Sequence, residues 1–510
     1  MPSVDQKSGK LSLFAVLGCT LLLIGLLGRL AIIRAASASA VDQHYWLLVA
    51  QAYREQRSLP VRIPGKYLME DETQAYPPLF GMLLGRLSNH QILLYLVMPT
   101  LELAEFAMLG TLLHAMGVRW EMLLLALACY VAAPVLVVYN AQLTPRILGD
   151  FFLFSAMALQ TVAVFLVDGS EIAWFYWGAS AVLLGFMMMT HKMTLQLHLV
   201  LLPFWWWSLG AWQVPLATLT GFAVFFSIVG LPFGIYQFRA HWDIVRFWDR
   251  YWRDLGSHQF SHSPIYGDPD GDRSGCFHVP GWRGTLKHLR VVASYSSLNL
   301  VLPVCSLVSG VWPPMWILVW ISGIYIWALA TLFIPRLKCL GGGHLYVFNA
   351  IAPGSIYLAH LPATMSVFYL LVVGTLLTII SLVMAWRIVQ ARPIMRGNDF
   401  DVAIQHISHL TKAHFAVFPL QSAEAVAAQT DHAVLWGAHG YGFHQLEGFF
   451  PVLTQPLKRF FTRYAIDWVL WDSMFWPQGE VRLIGDRLVD VHSLKAFGRW
   501  RLARVSVDNL

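Results

Sequence analysis

Charge is scarce along this chain. Only 13% of its 510 residues are Asp, Glu, Lys or Arg, while 57% are hydrophobic. A soluble globular protein carries about 25% charged and about 45–50% apolar residues, so that class is excluded. Cysteine is sparse as well, with five residues at Cys19, Cys129, Cys276, Cys305 and Cys339. They are scattered without the spacing of a metal-ligand set, and three sit in apolar runs as packing residues. A Cys276–Cys339 disulfide needs both loops in an oxidising compartment, and the sequence does not require one. Basic runs and base-stacking motifs are missing too. The formal charge of +6 therefore gives no case for nucleic acid. It suits anionic headgroups or phosphate-bearing substrates.

What the chain has is clustered apolar sequence, with a mean hydropathy of +0.55. Leu11–Ile33, Trp120–Tyr139, Trp312–Pro335 and Thr364–Trp386 each approach the ~20 residues that cross ~30 Å of hydrocarbon. Backbone groups in lipid need internal partners, so these runs read as helices. Lys7 and Lys10 precede the first of them, which is too long for a signal-peptide core and has Arg29 and Arg34 after it. It reads as a retained first helix. Further spans are expected near Gln91–Met116, Ile147–Val167, Ile172–Thr190, Met193–Trp212, Val214–Gln237, Ser294–Val311 and Leu345–His360, roughly eleven in all.

Residues 1–390 thus read as a transmembrane module with long polar loops at 34–90 and 238–293. Residues 391–510 regain polar composition, with β-like runs at His414–Pro419, Ala465–Trp471 and Trp500–Val507 and a helical stretch at Ser422–Gln429. That section reads as a soluble α/β domain, large enough to hold a core. With the N-terminus in the cytoplasm, both long loops and this domain share the outer face. If Ser294–Val311 is not a crossing, the domain moves inside.

The first long loop carries the densest chemistry. Asp42 stands just after the first span, in Val41-Asp42-Gln43-His44-Tyr45-Trp46, followed by an amphipathic stretch to Arg57. Asp71 and Glu72 come next, then Tyr76-Pro77-Pro78-Leu79-Phe80. Taken singly, Asp42 is a helix cap, Asp71 and Glu72 a solvated turn, and the prolines a break before a helix. Glu102 and Glu105 share one face of an apolar helix, and Asp150 lies in another span. Acids at such depth are expensive and serve either a structural pairing, with Arg86 or Arg146, or a proton path. In the second long loop, Trp248-Asp249-Arg250-Tyr251-Trp252-Arg253 alternates aromatic and charged residues, the pattern of a helix lying on the bilayer. Asp268-Pro269-Asp270-Gly271-Asp272 starts like a calcium loop, but its glycine is misplaced and Val279 stands at the twelfth position, so no metal is expected. Gly437-Ala438-His439-Gly440-Tyr441-Gly442 is a glycine-rich turn without the context of a dinucleotide fingerprint.

Together these features resemble the GT-C class of membrane glycosyltransferases. The likeness is to the branch holding protein mannosyltransferases that use dolichyl-phosphate mannose and the lipid A aminoarabinose transferase. An acid after the first span, an amphipathic juxtamembrane helix and a Tyr-Pro-Pro-Leu-like turn mark that class. Gln142-Leu143-Thr144-Pro145-Arg146 is similar to its short polar loop before the fourth span, and Gly343-His344-Leu345-Tyr346 with Pro353 to the motif before a late span. The tryptophan-tryptophan-aspartate motif of oligosaccharyltransferases is not found. Trp468 and Trp471-Asp472-Ser473 come nearest, which argues against en bloc glycan transfer to asparagine.

The resemblance implies a polytopic α-helical GT-C-like fold and transfer of a sugar from a polyprenyl-phosphate donor, with inversion and no cofactor. Asp42 is implied as general base, with His44, Tyr45, Asp71, Glu72 and Tyr76 at the substrate. Phosphate-binding groups are sought among Arg146, His191, Lys192, Arg336, Lys338 and His344, with Tyr346 beside them. Snorkelling at helix ends is the ordinary role of any one such cation. Arg146 is favoured by its motif. The partners implied are the donor lipid, the bilayer, and an acceptor glycan, lipid or protein, in a bacterial inner membrane with a periplasmic site. The terminal domain would dock the acceptor or give support. Two other readings stand beside this one, a lipid-linked glycan polymerase and a transporter using the buried acids. The transporter predicts internal repeats, and none is visible.

Overall fold

Apolar runs become helices, and they end where glycine or proline breaks them. The computed structural model describes residues 27–31, 41–87, 91–139, 143–255, 281–395, 398–437, 442–450 and 453–506, with positions 16, 20 and 23 before them. Within these, Leu96–Ala115, Arg146–Phe165, Glu171–Met188 and Met315–Phe333 are long and apolar enough to cross a membrane. Two bent pairs, Gln213–Val229 with Leu231–Tyr251 and Gly284–Tyr295 with Ser297–Ser309, bring the number to as many as six.

The expected eleven spans are therefore not reproduced one for one. Most of the first, Leu11–Ile33, lies outside the described residues. Trp120–Tyr139 divides into helices Trp120–Val131 and Pro134–Tyr139, because Pro134 cannot continue the first. Leu345–His360 is mostly short 3-10 turns followed by helix Ile351–Ala359. Nine helical residues reach only ~14 Å, less than half of the hydrocarbon thickness. The last run contains a π-helical turn at Leu370–Gly374 ahead of helix Thr375–Met395.

The chain divides into two compact units that interleave in sequence. The first comprises residues 1–37, 89–234 and 288–389. In it, helix Arg146–Phe165 packs on Gln91–Ala115 and Glu171–Met188, and Lys192–Leu209 on Met315–Phe333. Some of the polar side chains inside satisfy one another, as a low-dielectric interior favours. Gln160 accepts from the Trp205 indole at 2.7 Å and donates to Ser180 at 2.9 Å. Glu102, for which Arg86 or Arg146 was the expected partner, is found paired with Arg29. The guanidinium approaches its carboxylate at 2.9 Å, donates to the Val131 carbonyl at 2.6 Å, and both side chains are under a tenth exposed.

The second unit gathers residues 38–88, 235–287 and 390–510. Its sheet is built from β1 (His414–Phe418), β2 (Ala433–Val434), β3 (Trp468–Asp472), β4 (Lys495–Phe497) and β5 (Trp500–Arg504) in the order β2-β1-β3-β5-β4. β1 lies parallel to β2 and β3, and β5 runs antiparallel to β3 and β4. Three of these strands fall on the runs read from the sequence, since central strands buried on both faces are continuous apolar stretches. β2 is too short to be read that way.

The outer edge of β2 is covered by the first long loop. Leu68 N–H donates to the Val434 carbonyl, Met69 N–H to that of Leu435, and Val434 N–H to that of Lys66. Lys66–Met69 thus adds a short parallel edge strand. Helix Leu420–Gln429 packs on helix Val41–Gln56, which also carries helix Leu79–Arg86. The stretch around Trp248, expected to rest on the bilayer, buries Phe247 and Trp248 against Phe443 and Phe450 instead.

Candidate functional site

Asp42 occupies the first turn of helix Val41–Gln56, where the helix dipole favours negative charge. It is half-buried. The residues around it form a packed platform. Trp46 meets Tyr76 and Phe80 edge to face, at ring separations of 5.1 Å each. Tyr45 is wholly buried, and its hydroxyl donates to Gln74 Oε1 at 3.0 Å. Gln74 in turn donates to the Glu72 carbonyl at 3.2 Å. Tyr45 and His44, both expected at the substrate, lie in the core, because they face inward from an amphipathic helix. Asp71 accepts from the Gln445 amide at 3.1 Å. Glu72 forms an exposed pair with Arg62 at 2.7 Å, a contact of about 0–1 kcal/mol.

Two acceptors in this platform were not singled out from sequence. Glu70 accepts from Gly437 N–H at 2.6 Å. Glu424, fully buried, accepts from the Tyr67 hydroxyl. Gly437 can only be glycine here, since a Cβ would sit 2.6 Å from the Tyr67 ring and 2.7 Å from Glu424 Oε1. The signal in sequence is faint, a Gly-rich turn and an alanine-rich helix with a single acid. Ala438, His439, Gly440 and Tyr441 lie outside the described residues, as do Gln142 and the 268–279 segment.

A second constellation belongs to the first unit. Arg146 is the first residue of helix Arg146–Phe165, after Pro145, and Lys192 the first of helix Lys192–Leu209. Proline fixes the entry turn of the first. The helices approach closely here, with Gly149 facing His191 and Thr194. Arg146 acts electrostatically on both Lys192 and His344. Tyr346, completely buried, sets its hydroxyl 2.7 Å from Gln196, one turn along the Lys192 helix. Arg146, Lys192, His344 and Tyr346 are thereby brought to one region, and Gln196 joins them.

His344 differs from its expected role as a cation. Burial, with Arg146 and His288 adding to it, pushes its imidazole down to about 3. At that value the imidazole is neutral at pH 7. Two helix N-termini and two cations remain, an arrangement that attracts an anion with several oxygens. Arg336 and Lys338 lie in the 3-10 turn Pro335–Leu340.

No family model matches this chain, and no curated protein matches it in sequence. Solved structures do. ArnT from Cupriavidus metallidurans bound to undecaprenyl phosphate aligns with a TM-score of 0.57 at 11% identity, over 98% of this chain and 99% of that one. The oligosaccharyltransferase of Archaeoglobus fulgidus, without ligand, aligns with a TM-score of 0.53 at 11% identity, over 90% of this chain and 70% of that one. The fold is GT-C.

The GT-C fold depends on tight backbone packing beside His344. A Cβ on Gly343 would lie 1.9 Å from the Ala328 carbonyl oxygen, on helix Met315–Phe333. Gly343→Ala must therefore shift backbone, at a cost of about 1–3 kcal/mol. A lowered thermal midpoint of the purified protein is expected. An unchanged midpoint would mean the segment yields freely and does not fix His344.

Proposed function

We propose that this protein is an inverting glycosyltransferase that moves a sugar from a polyprenyl-phosphate carrier to an acceptor. The observation that carries the reading is the meeting of Arg146 and Lys192 at two neighbouring helix starts within a GT-C fold. The likeness to a transferase solved with undecaprenyl phosphate supports a lipid phosphate as the anion. Such a phosphate, as leaving group, has a second pKa near ~6. It departs without a proton, so no second acid is needed of the kind glycosidases use.

The residues then divide the work. Asp42 takes the proton of the acceptor hydroxyl as its oxygen bonds to the anomeric carbon. The bond from that carbon to the carrier phosphate breaks on the opposite side, and the electron pair leaves on the phosphate. Arg146 offers paired donors to the departing oxygens and Lys192 a point charge. Helix dipoles reinforce both. A bacterial inner membrane with a periplasm-facing site belongs to the same proposal, as does a role for residues 391–510 outside the bilayer.

Purified protein in lipid nanodiscs, given a panel of radiolabelled polyprenyl-phosphate sugars, is expected to consume at least one of them. Arg146→Ala should weaken undecaprenyl-phosphate binding about tenfold or more, as loss of a charge-assisted contact costs ~1.5–3 kcal/mol. Unchanged affinity in that variant would remove Arg146 from the site. Folded protein that neither binds nor consumes any donor overturns the transferase reading and favours a transporter.

A further inference from the structure

The base helix does not stand on its own loop. We infer that Tyr67 and Glu424 are positioning residues for the reaction, clamping the first loop to the sheet so that Asp42 is held where it can work. The inference rests on the reading of Asp42 as general base.

Its evidence lies wholly within the second unit. Glu424 sits on helix Leu420–Gln429, which packs directly on the helix that begins with Val41 and Asp42. From that helix its carboxylate receives the Tyr67 hydroxyl. Tyr67 belongs to the added edge strand, so the bond ties helix, sheet edge and loop at one point. Three residues on, Glu70 is fixed by Gly437 N–H, and Asp71 by Gln445. The loop then returns through Gln74 to Tyr45, three residues from Asp42 and on the same helix. Every link is buried or half-buried, apart from the exposed Arg62–Glu72 pair at its margin. The Tyr236 hydroxyl adds a tie from a different segment, donating to the Thr73 carbonyl at 3.2 Å.

A tie of this kind matters more to rate than to affinity. A reacting group displaced by an ångström from a distant change loses up to about a hundredfold in rate. The proposed phosphate-binding residues, Arg146 and Lys192, take no part in these bonds. Burial, and then the charges of Glu424 and Glu70, raise the Tyr67 phenol well above its usual value. It therefore remains a hydrogen donor throughout the neutral range.

The test uses the full-length protein in nanodiscs, with Tyr67→Phe, Glu424→Ala and Glu424→Gln compared to the parent. Tyr67→Phe and Glu424→Ala should lower kcat at least tenfold while the Kd for undecaprenyl phosphate stays within twofold. Glu424→Gln, which keeps the volume and an acceptor oxygen, should restore most of the rate. Equal loss in Gln and Ala, or a fall in thermal midpoint with kcat unchanged, overturns positioning and leaves a structural role. A parent enzyme that turns over and dies with Asp42→Asn, beside variants of full activity, sinks this inference alone. A parent with no turnover sinks the transferase reading first.

Discussion

Asp42→Asn is expected to reduce sugar transfer by roughly 10²–10⁴-fold, the usual worth of a positioned general base, while donor binding persists. The amide keeps the size of the carboxylate and its place in the first turn of helix Val41–Gln56, but it cannot take a proton from an acceptor hydroxyl. Tyr45 meets Gln74, and Trp46 meets Tyr76, through atoms of their own that the substitution leaves in place. The binding arm distinguishes chemistry from folding. Undecaprenyl phosphate should bind the variant as it binds the parent, because Arg146 and Lys192 lie on other helices. Near-normal turnover would falsify the assignment of Asp42. Loss of both binding and turnover would show that the residue acts through the fold.

A comparably large effect, on stability, is expected at Arg29. Its guanidinium bridges three parts of the first unit, since Glu102 and the Val131 carbonyl sit on different helices. Arg29→Met removes the cation from beside a carboxylate that is less than a tenth exposed. Breaking a buried pair from one side costs about 3–5 kcal/mol, whereas replacing both partners by apolar side chains is often neutral. Arg29→Met should therefore lower the thermal midpoint sharply in detergent or nanodiscs, and Arg29→Met with Glu102→Leu should recover most of it. Failure of the double variant to recover would give Glu102 a role beyond pairing. Glu105, one turn along the same face and electrostatically linked to Asp150 and Tyr130, is where such a role would be sought.

The sequence made the apolar helices legible because hydropathy responds to composition over ~20 residues, and composition is what a bilayer selects. Arg146, His344 and Tyr346 could be singled out from motifs of the resemblance and Lys192 from its place at a membrane-water boundary, and the fold links them electrostatically and through Gln196. His344 could not be read as a neutral imidazole, because its burial beside Arg146 depends on contacts distant in sequence. Glu102 illustrates the same limit, having found Arg29 at a separation of 73 residues. Trp248 was legible as part of an amphipathic pattern, but the pattern does not say whether protein or lipid covers the apolar face. Tyr67 and Glu424 had no pattern at all. Their pairing follows from a two-residue strand whose edge a loop completes, and strands that short leave no periodic trace.

The pairing of Tyr67 with Glu424 also sets an order of events during synthesis. The two residues are 357 positions apart, so at ~5–20 residues per second roughly 20–70 s pass between their emergence from the ribosome. Throughout that interval the helix bearing Asp42 exists without the strand edge and helix that brace it. The apolar segments are all made before the brace arrives, since Leu420–Gln429 and β2 follow the last of them. A nascent chain therefore completes its apolar helices before Glu424 is made to meet Tyr67.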